Sequence, residues 1–406
     1  MSSMGLLSIP SSLPTINLCL KGKVLVRVDM NVPIDKAGSK ILDDYRIEAH
    51  SRTIRYLINS GLSVVVITHQ GRPGESEFAS LEKHAEALSN YLGVDVKFVD
   101  DVMGPRAREE IGRLGPGEVL MLDNLRFVSE ELIEGESQKL ANTYLVMRLA
   151  PLFNYFILDA FATAHRSQPS IVGFPYVLPS CMGLVMEREV SALGKVLDTR
   201  GVSTVLIAGG AKVPETVKTM KVLLNKGLVS RVLVGGLVGQ LFLALKYGNN
   251  KLLNGIKAGQ DTVNDALETM KLFDDKIVLP VDVVQSNDDI ANPMKAQSNV
   301  DIGPATIELF NKHLASADIA IMTGPLGLVE VEKYAVGTRE VMRSMVNNAQ
   351  FTIIGGGHTI MSARKFGLID RISHVSTGGR AFIQFLADPN LPGIRALEIS
   401  RSRFWV

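Results

Sequence analysis

The chain is poor in cysteine, in net charge and in long apolar stretches, and each shortage removes a class of protein. Its two cysteines, Cys19 and Cys181, form no CxxC pair and no disulfide framework, which fits a reducing cytosol. Lys+Arg 43 against Asp+Glu 42 leaves a formal net charge of +1, so nothing global attracts nucleic acid or a membrane surface. Any anion site must be built locally. No apolar run reaches the ~18 residues that a membrane span needs. Residues 1–19 are Ser- and Pro-rich with no early Lys or Arg, and do not read as a signal peptide. A cytoplasmic monomer is expected.

What is present is a recurring order: a short apolar run, a polar or glycine-rich break, then a helical stretch. At 406 residues, with roughly 150 per domain as a guide, two to three domains are expected. The runs of the first half are 24–30, 64–68, 96–99, 119–122 and 155–158. Those of the second are 204–208, 231–234, 276–284, 319–322, 351–354 and 374–376. Runs such as Val64-Val65-Val66-Ile67 do not alternate apolar with polar, and suit parallel strands covered on both faces. Between them, 46–59 carries Ile47, Ile54, Leu57 and Ile58 on one helical face and stops at Gly61, and 81–92 carries Leu81, Ala85, Leu88 and Leu92 and stops at Gly93. Strand–helix alternation predicts α/β structure made of βαβ units. The Pro-bearing stretch 174–179 and a helix over 185–197 place a boundary near 175–187. The expected architecture is two doubly wound parallel-sheet (Rossmann-like) domains, 1–180 and 187–391, joined by a hinge helix.

Ligands of open α/β sheets bind at the carboxyl ends of strands, so the residues after each run matter most. In the first half those ends are polar and cationic: His69 and Arg72, Arg126, Arg166, with Arg46 opening the first helix. If the ends converge, these residues ring one pocket, and guanidinium groups suit carboxylate and phosphate. Taken singly, each Arg also reads as a surface residue, and His69 as an ordinary satisfied histidine. In the second half the ends are glycines: Gly209-Gly210 before Lys212, Gly235-Gly236, Gly324 to Gly327 around Pro325, Gly355-Gly356-Gly357 and Gly378-Gly379. Such loops let backbone N–H groups approach phosphate beside a helix N-terminus. Lys212 is a candidate for neutralising a transferring phosphoryl group, or else an exposed helix-start lysine. No GxxxxGK[ST] and no strand-end GxGxxG occurs, which excludes a P-loop enzyme and weakens a dinucleotide reading.

With these residues assembled, the chain resembles the phosphoglycerate kinase family, in an archaeal-like variant. The resemblance runs from about residue 21 to 397, through RVDMNVP (27–33), THQGRP (68–73), LDNLRF (122–127), DAFATAHR (159–166), GGAKV (209–213), LPVDVV (279–284), DIGPATIELF (301–310), TGPLGLVE (323–330), IIGGGHT (353–359), SHVSTGG (373–379) and LPGIRAL (391–397). It implies reversible transfer between 1,3-bisphosphoglycerate with ADP and 3-phosphoglycerate with ATP. It implies that Asp29, Asn31, Arg46, His69, Arg72, Arg126 and Arg166 hold the glycerate substrate, with Arg46 and Lys212 catalytic. Gly209, Gly210, Lys212, Gly235, Gly236, Pro325, Gly327, Gly355, Gly356, Gly357, His358 and Thr359 would line the nucleotide, and Glu330 would bind its ribose. Residues 392–406 would return to the N-terminal domain.

The chain departs from the family pattern in places. His358 stands where an Asp usually ligates magnesium, so Mg2+ is expected to be held mainly by nucleotide phosphates and water, with no protein metal site. Thr216 stands where many members carry a second Lys; Lys218 or Arg380 could supply that charge, or both could face solvent. Thr323 replaces the usual Asn. Two rivals remain at this point: a nicotinamide-linked dehydrogenase, and a nucleotide-binding regulatory protein that has lost catalysis.

Overall fold

The computed structural model describes residues 13–16, 21–35, 40–198, 201–253 and 255–405, without the side chain of Arg380. Cys19 and the Arg380 side chain therefore lie outside the described residues. The chain divides into two compact units, one within Met1–Ser191 and Asp388–Val406, the other Ala192–Ala387. No helix among the described residues is long and apolar enough to cross a membrane.

The first unit holds strands β1 (Lys23–Arg27), β2 (Ser63–Ile67), β3 (Val96–Val99), β4 (Val119–Leu122), β5 (Tyr155–Leu158) and β6 (Ser180–Met182). They form one six-stranded sheet in the order β3-β4-β2-β1-β5-β6. All of its pairings are parallel, with Val26 opposite both Val66 and Ile157. The uninterrupted apolar runs are explained by cover on both faces: β2 and β4 are buried along their whole length. Helix Tyr45–Asn59 lays Ile47, Ile54 and Leu57 against Val24, Val26, Val64 and Val66. Each of those three helix side chains is fully buried, worth roughly 1.5–3 kcal/mol apiece. Helix Glu82–Leu92 ends as its sequence predicts, on Gly93 in the left-handed conformation at φ 66°.

The second unit holds β7 (Thr204–Ala208), β8 (Arg231–Val234), β9 (Ile277–Val278), β10 (Val283–Val284), β11 (Ile290–Ala291), β12 (Asp301–Ile302), β13 (Ile319–Thr323), β14 (Phe351–Gly355) and β15 (His374–Ser376). Its main sheet runs β15-β14-β13-β7-β8-β9, and β11-β10-β12 make a small separate sheet, antiparallel throughout. The run 276–284, expected as one strand, is two: Pro280, which has no N–H for a ladder, separates β9 from β10. The stretch 174–179 contains the short helix Phe174–Val177, and the next residues add β6 to the edge of the first sheet.

Helix Leu184–Leu197 carries the chain from the first unit into the second. Helix Pro392–Phe404 belongs to the first unit again: Ser400 Oγ accepts from Ser180 N at 2.9 Å, and the Trp405 indole donates to Ser180 O at 3.2 Å.

Candidate active site

In each main sheet the strand order reverses beside its first strand, between β1 and β5 in one and between β7 and β13 in the other. The carboxyl ends there are where an open sheet leaves a crevice.

In the first unit, β1 delivers Asp29 and Asn31. The Asp29 carboxylate accepts from Arg46 at 2.8 Å, and the same guanidinium donates to Asn31 O at 3.1 Å. The Asn31 side chain in turn accepts from Gly71 N at 2.9 Å, which ties the ends of β1 and β2 together. Burial alone would raise the Asp29 carboxyl, but the field of Arg46, with Arg27 behind it, holds the group well below the usual carboxylate range. A buried carboxylate thus stays charged and aims Arg46, whose side chain is 30% exposed.

His69 is buried at the end of β2, and Arg27 Nη2 lies 3.1 Å from its Nδ1. Guanidinium can only donate, so Nδ1 is the acceptor and the ring proton sits on Nε2. Burial pushes the His69 pKa well below its usual value, and Arg27, Arg126 and Arg166 add to that. His69 is accordingly a neutral donor. Sequence reasoning missed Arg27 as a site residue; its only signal was a cation inside an otherwise apolar run. The Arg27 guanidinium is fully buried, donates to Ser170 Oγ at 2.9 Å, and lies 3.9 Å from Glu131.

Arg126 donates to Gly71 O and is buried; burial, then the nearby charges of Arg166, Arg27 and Arg72, push its pKa down to about 10. Arg72 is exposed. Neither Arg72 nor Arg126 makes a salt bridge with a described carboxylate. The carboxylates of this region, Asp29 and Glu131, are already faced by Arg46 and Arg27. Arg166, Arg27 and Arg72 each repel Arg126, a repulsion that an arriving anion would relieve.

In the second unit the ends of β7, β8, β13 and β14 surround a cavity of about 440 Å³. Gly209, Gly210, Lys212, Gly236, Pro325, Gly327, Glu330, Gly356, Gly357, His358 and Thr359 line it. Helices Val213–Asn225, Gly236–Tyr247 and Gly357–Lys365 all begin at this wall, so their positive dipole ends meet there.

Gly209, Gly210, Gly236 and Gly324 spend their N–H groups within the protein rather than facing the cavity. Gly209 N donates to Thr323 O, Gly210 N to Pro325 O and Gly236 N to Leu326 O, at 2.7–2.8 Å, and Gly324 N donates to Thr359 Oγ1 at 2.8 Å. Their missing side chains let two backbones touch. A Cβ on Gly209 would lie 2.3 Å from Pro325 O, and one on Gly324, at φ 78°, would lie 2.2 Å from Gly209 O. Gly235 and Gly355 do not line the cavity; Gly235 makes room for Leu326, which a Cβ there would meet at 2.6 Å.

Sequence reasoning also missed Leu237, Gln240, Asn299, Val300 and Leu328 in this wall. Gln240 Nε2 donates to Asn299 O at 2.5 Å, and Leu328 N to Val300 O at 2.8 Å, so these residues form one braced corner. Asn299 comes from the small antiparallel sheet's approach, where no apolar run flagged it. Thr216 lines the cavity, whereas Lys218, two residues on along the same helix, is exposed and does not. A two-residue step turns about 200° around a helix, so Lys218 points away from the wall that Thr216 lines.

Together these features define a two-unit α/β protein with guanidinium groups clustered about Arg126 in one unit and a glycine-lined cavity in the other. The phosphoglycerate kinase family model matches residues 16–388. The chain is 46% identical over 401 residues to the phosphoglycerate kinase of Pyrobaculum aerophilum, covering 97% of each, and 44% identical over 407 residues to that of Saccharolobus solfataricus, covering 98% of each. The solved phosphoglycerate kinase of Pyrococcus horikoshii superposes with a TM-score of 0.87 at 38% identity, over 94% of this chain and 97% of that one. The enzyme of Coxiella burnetii superposes at 0.77 and 32%, over 95% and 99%. The chain belongs to the phosphoglycerate kinase family, and is a phosphotransferase by that membership.

Proposed function

We propose that the chain catalyses reversible phosphoryl transfer between 1,3-bisphosphoglycerate with ADP and 3-phosphoglycerate with ATP. In this reading the first unit holds the glycerate and the second the nucleotide, and the protein works as a cytoplasmic monomer. The observation that supports it is the buried Arg126 guanidinium, repelled by Arg166, Arg27 and Arg72, in the same neighbourhood as the neutral donor His69. Such a set matches a small substrate bearing both carboxylate and phosphate.

The acceptor oxygen is already a carboxylate, so no base need remove a proton from it. The work is positioning and charge neutralisation. Arg46, aimed by Asp29 and Asn31, stabilises the charge on the transferring group from the glycerate side. Lys212, at the start of helix Val213–Asn225, does so from the nucleotide side. In-line transfer follows hinge closure, which excludes water.

Among the described residues, the wall of the nucleotide cavity carries a single carboxylate, Glu330, together with His358. These residues do not assemble a protein-held magnesium site, and we propose that the ion arrives on the nucleotide phosphates. Glu330 is left for the ribose hydroxyls. The test is a coupled assay with 3-phosphoglycerate and ATP, with and without a divalent ion. Turnover that requires the ion, and falls at least 100-fold in Arg46→Ala, supports the reading. Absence of turnover in the unaltered chain overturns it, and activity without any divalent ion overturns the magnesium proposal.

A further inference from the structure

Behind Arg46 lies a buried pair that the chemistry above does not use. His50 sits on helix Tyr45–Asn59, one turn after Arg46, and is 1% exposed; Asp159, at the end of β5, is fully buried. Asp29 N lies 3.2 Å from His50 Nε2, and His50 Nδ1 lies 2.8 Å from Asp159 Oδ2. A backbone N–H can only donate, so Nε2 is the acceptor. The ring proton therefore sits on Nδ1 and is donated to the carboxylate. The other Asp159 oxygen accepts from Val185 N at 2.9 Å and Met186 N at 3.2 Å, in the first turn of helix Leu184–Leu197. A carboxylate at a helix N-terminus is favoured by the dipole as well as by these donors. Gly183 permits the approach: a Cβ there would lie 2.2 Å from Asp159 Oδ1.

We infer that His50 and Asp159 are positioning residues for the transfer reaction. Together they fix the backbone of Asp29, and through it the aim of Arg46, against the first turn of the helix that carries the chain into the second unit. The inference rests on the proposed glycerate site, and is tested in a chain first shown to turn over 3-phosphoglycerate and ATP.

The two nitrogens of His50 can be separated by substitution. In His50→Asn the amide reproduces the Nδ1 side: it keeps a donor for Asp159 and loses the acceptor for Asp29 N–H. In His50→Gln the amide oxygen reaches the Nε2 side: it accepts from Asp29 N–H and leaves Asp159 short of a donor. We expect His50→Asn to lower kcat/KM for 3-phosphoglycerate about tenfold, as leaving a buried N–H unpaired would. KM for ATP should stay within about twofold. We expect His50→Gln to recover the glycerate-side kinetics to within about threefold of the unaltered chain while lowering the midpoint of thermal unfolding below that of His50→Asn. Asp159→Asn, which weakens the same link with little change of shape, is measured alongside and should lower the glycerate-side kcat/KM by about threefold. It decides the matter if either His50 variant fails to fold. Equal kinetics in the two His50 variants, equal loss on both substrates, or no kinetic effect of Asp159→Asn would overturn the inference. A chain without turnover would instead overturn the proposed function.

Discussion

In the first unit the groups proposed to face an anion are side chains: Arg46, Arg72, Arg126, Arg166 and the Nε2–H of His69. In the second they are helix ends and a lone lysine, Lys212, set around backbone loops that brace one another through Gly209, Gly210, Gly236 and Gly324. The difference follows from what each would hold. A compact anion can be gripped by converging charges, each kept in place by a buried partner such as Asp29 or Arg27. A larger ligand needs a slot, and a slot needs two chain segments to pass at backbone contact. Charge is the material of one site and the absence of side chains is the material of the other.

The comparison can be broken most sharply by paired substitutions. Arg126→Ala should raise KM for 3-phosphoglycerate on the order of 30- to 100-fold, the loss of charged hydrogen bonds to a bound anion, while KM for ATP stays within about twofold. Gly324→Ala should do the converse, raising KM for ATP about tenfold, because its Cβ would strike Gly209 O and its φ is 78°. Steady-state kinetics with each substrate varied in turn checks both. If either variant moved both constants together, the division would fail.

A smaller effect concerns pH, and its sign differs between the units. Burial pushes His84, in the first unit, down to about 4. Below about 6.5 the unfolded chain takes up a proton that the folded ring refuses, so this share of stability is lost as pH falls through that window. At pH 5 the loss is on the order of 2 kcal/mol relative to pH 7, and His84→Gln should remove it. Burial raises Asp301, in the second unit, to about 7, against the hydrogen bonds from Gly337 N and Ile302 N. Between about pH 4 and 7 the folded carboxyl keeps a proton that the unfolded chain has released, so this share is lost as pH rises. Asp301→Asn should flatten that slope. Urea unfolding followed by Trp405, the chain's one tryptophan, reports the first unit, and amide exchange in helix Val336–Asn348 reports the second. The smallest effect is expected for Lys218→Ala, which should change turnover less than about twofold, since Lys218 does not reach the cavity wall. A larger fall would return that lysine to the chemistry.

Much of the fold was legible because apolar runs covered on both faces are read directly from sequence. β3, β4, β5, β7, β8 and β15 begin and end where their runs do. β6, β11 and β12 were not legible: strands this short are decided by the neighbour they pair with. The same limit applies at the site. Residues at strand ends, from Asp29 to Arg166, could be found by looking after each run. Arg27 lies inside a run and His50 on a helix face, and only the fold shows that one orients His69 and the other holds Asp29. Most of the glycine-loop residues lie in the cavity wall, Gly235 and Gly355 excepted, but which atoms their N–H groups meet depends on the crossing of two loops from distant parts of the chain.

The helix Pro392–Phe404 has a consequence for synthesis. β6 and Tyr155 receive Ser400 and Trp405 from residues that follow the whole second unit in sequence. On the ribosome, the second unit has all of its own residues before those that finish the first. The earlier-made unit must therefore wait, with one edge uncovered, for the later-made one to emerge, and translation order and completion order are reversed.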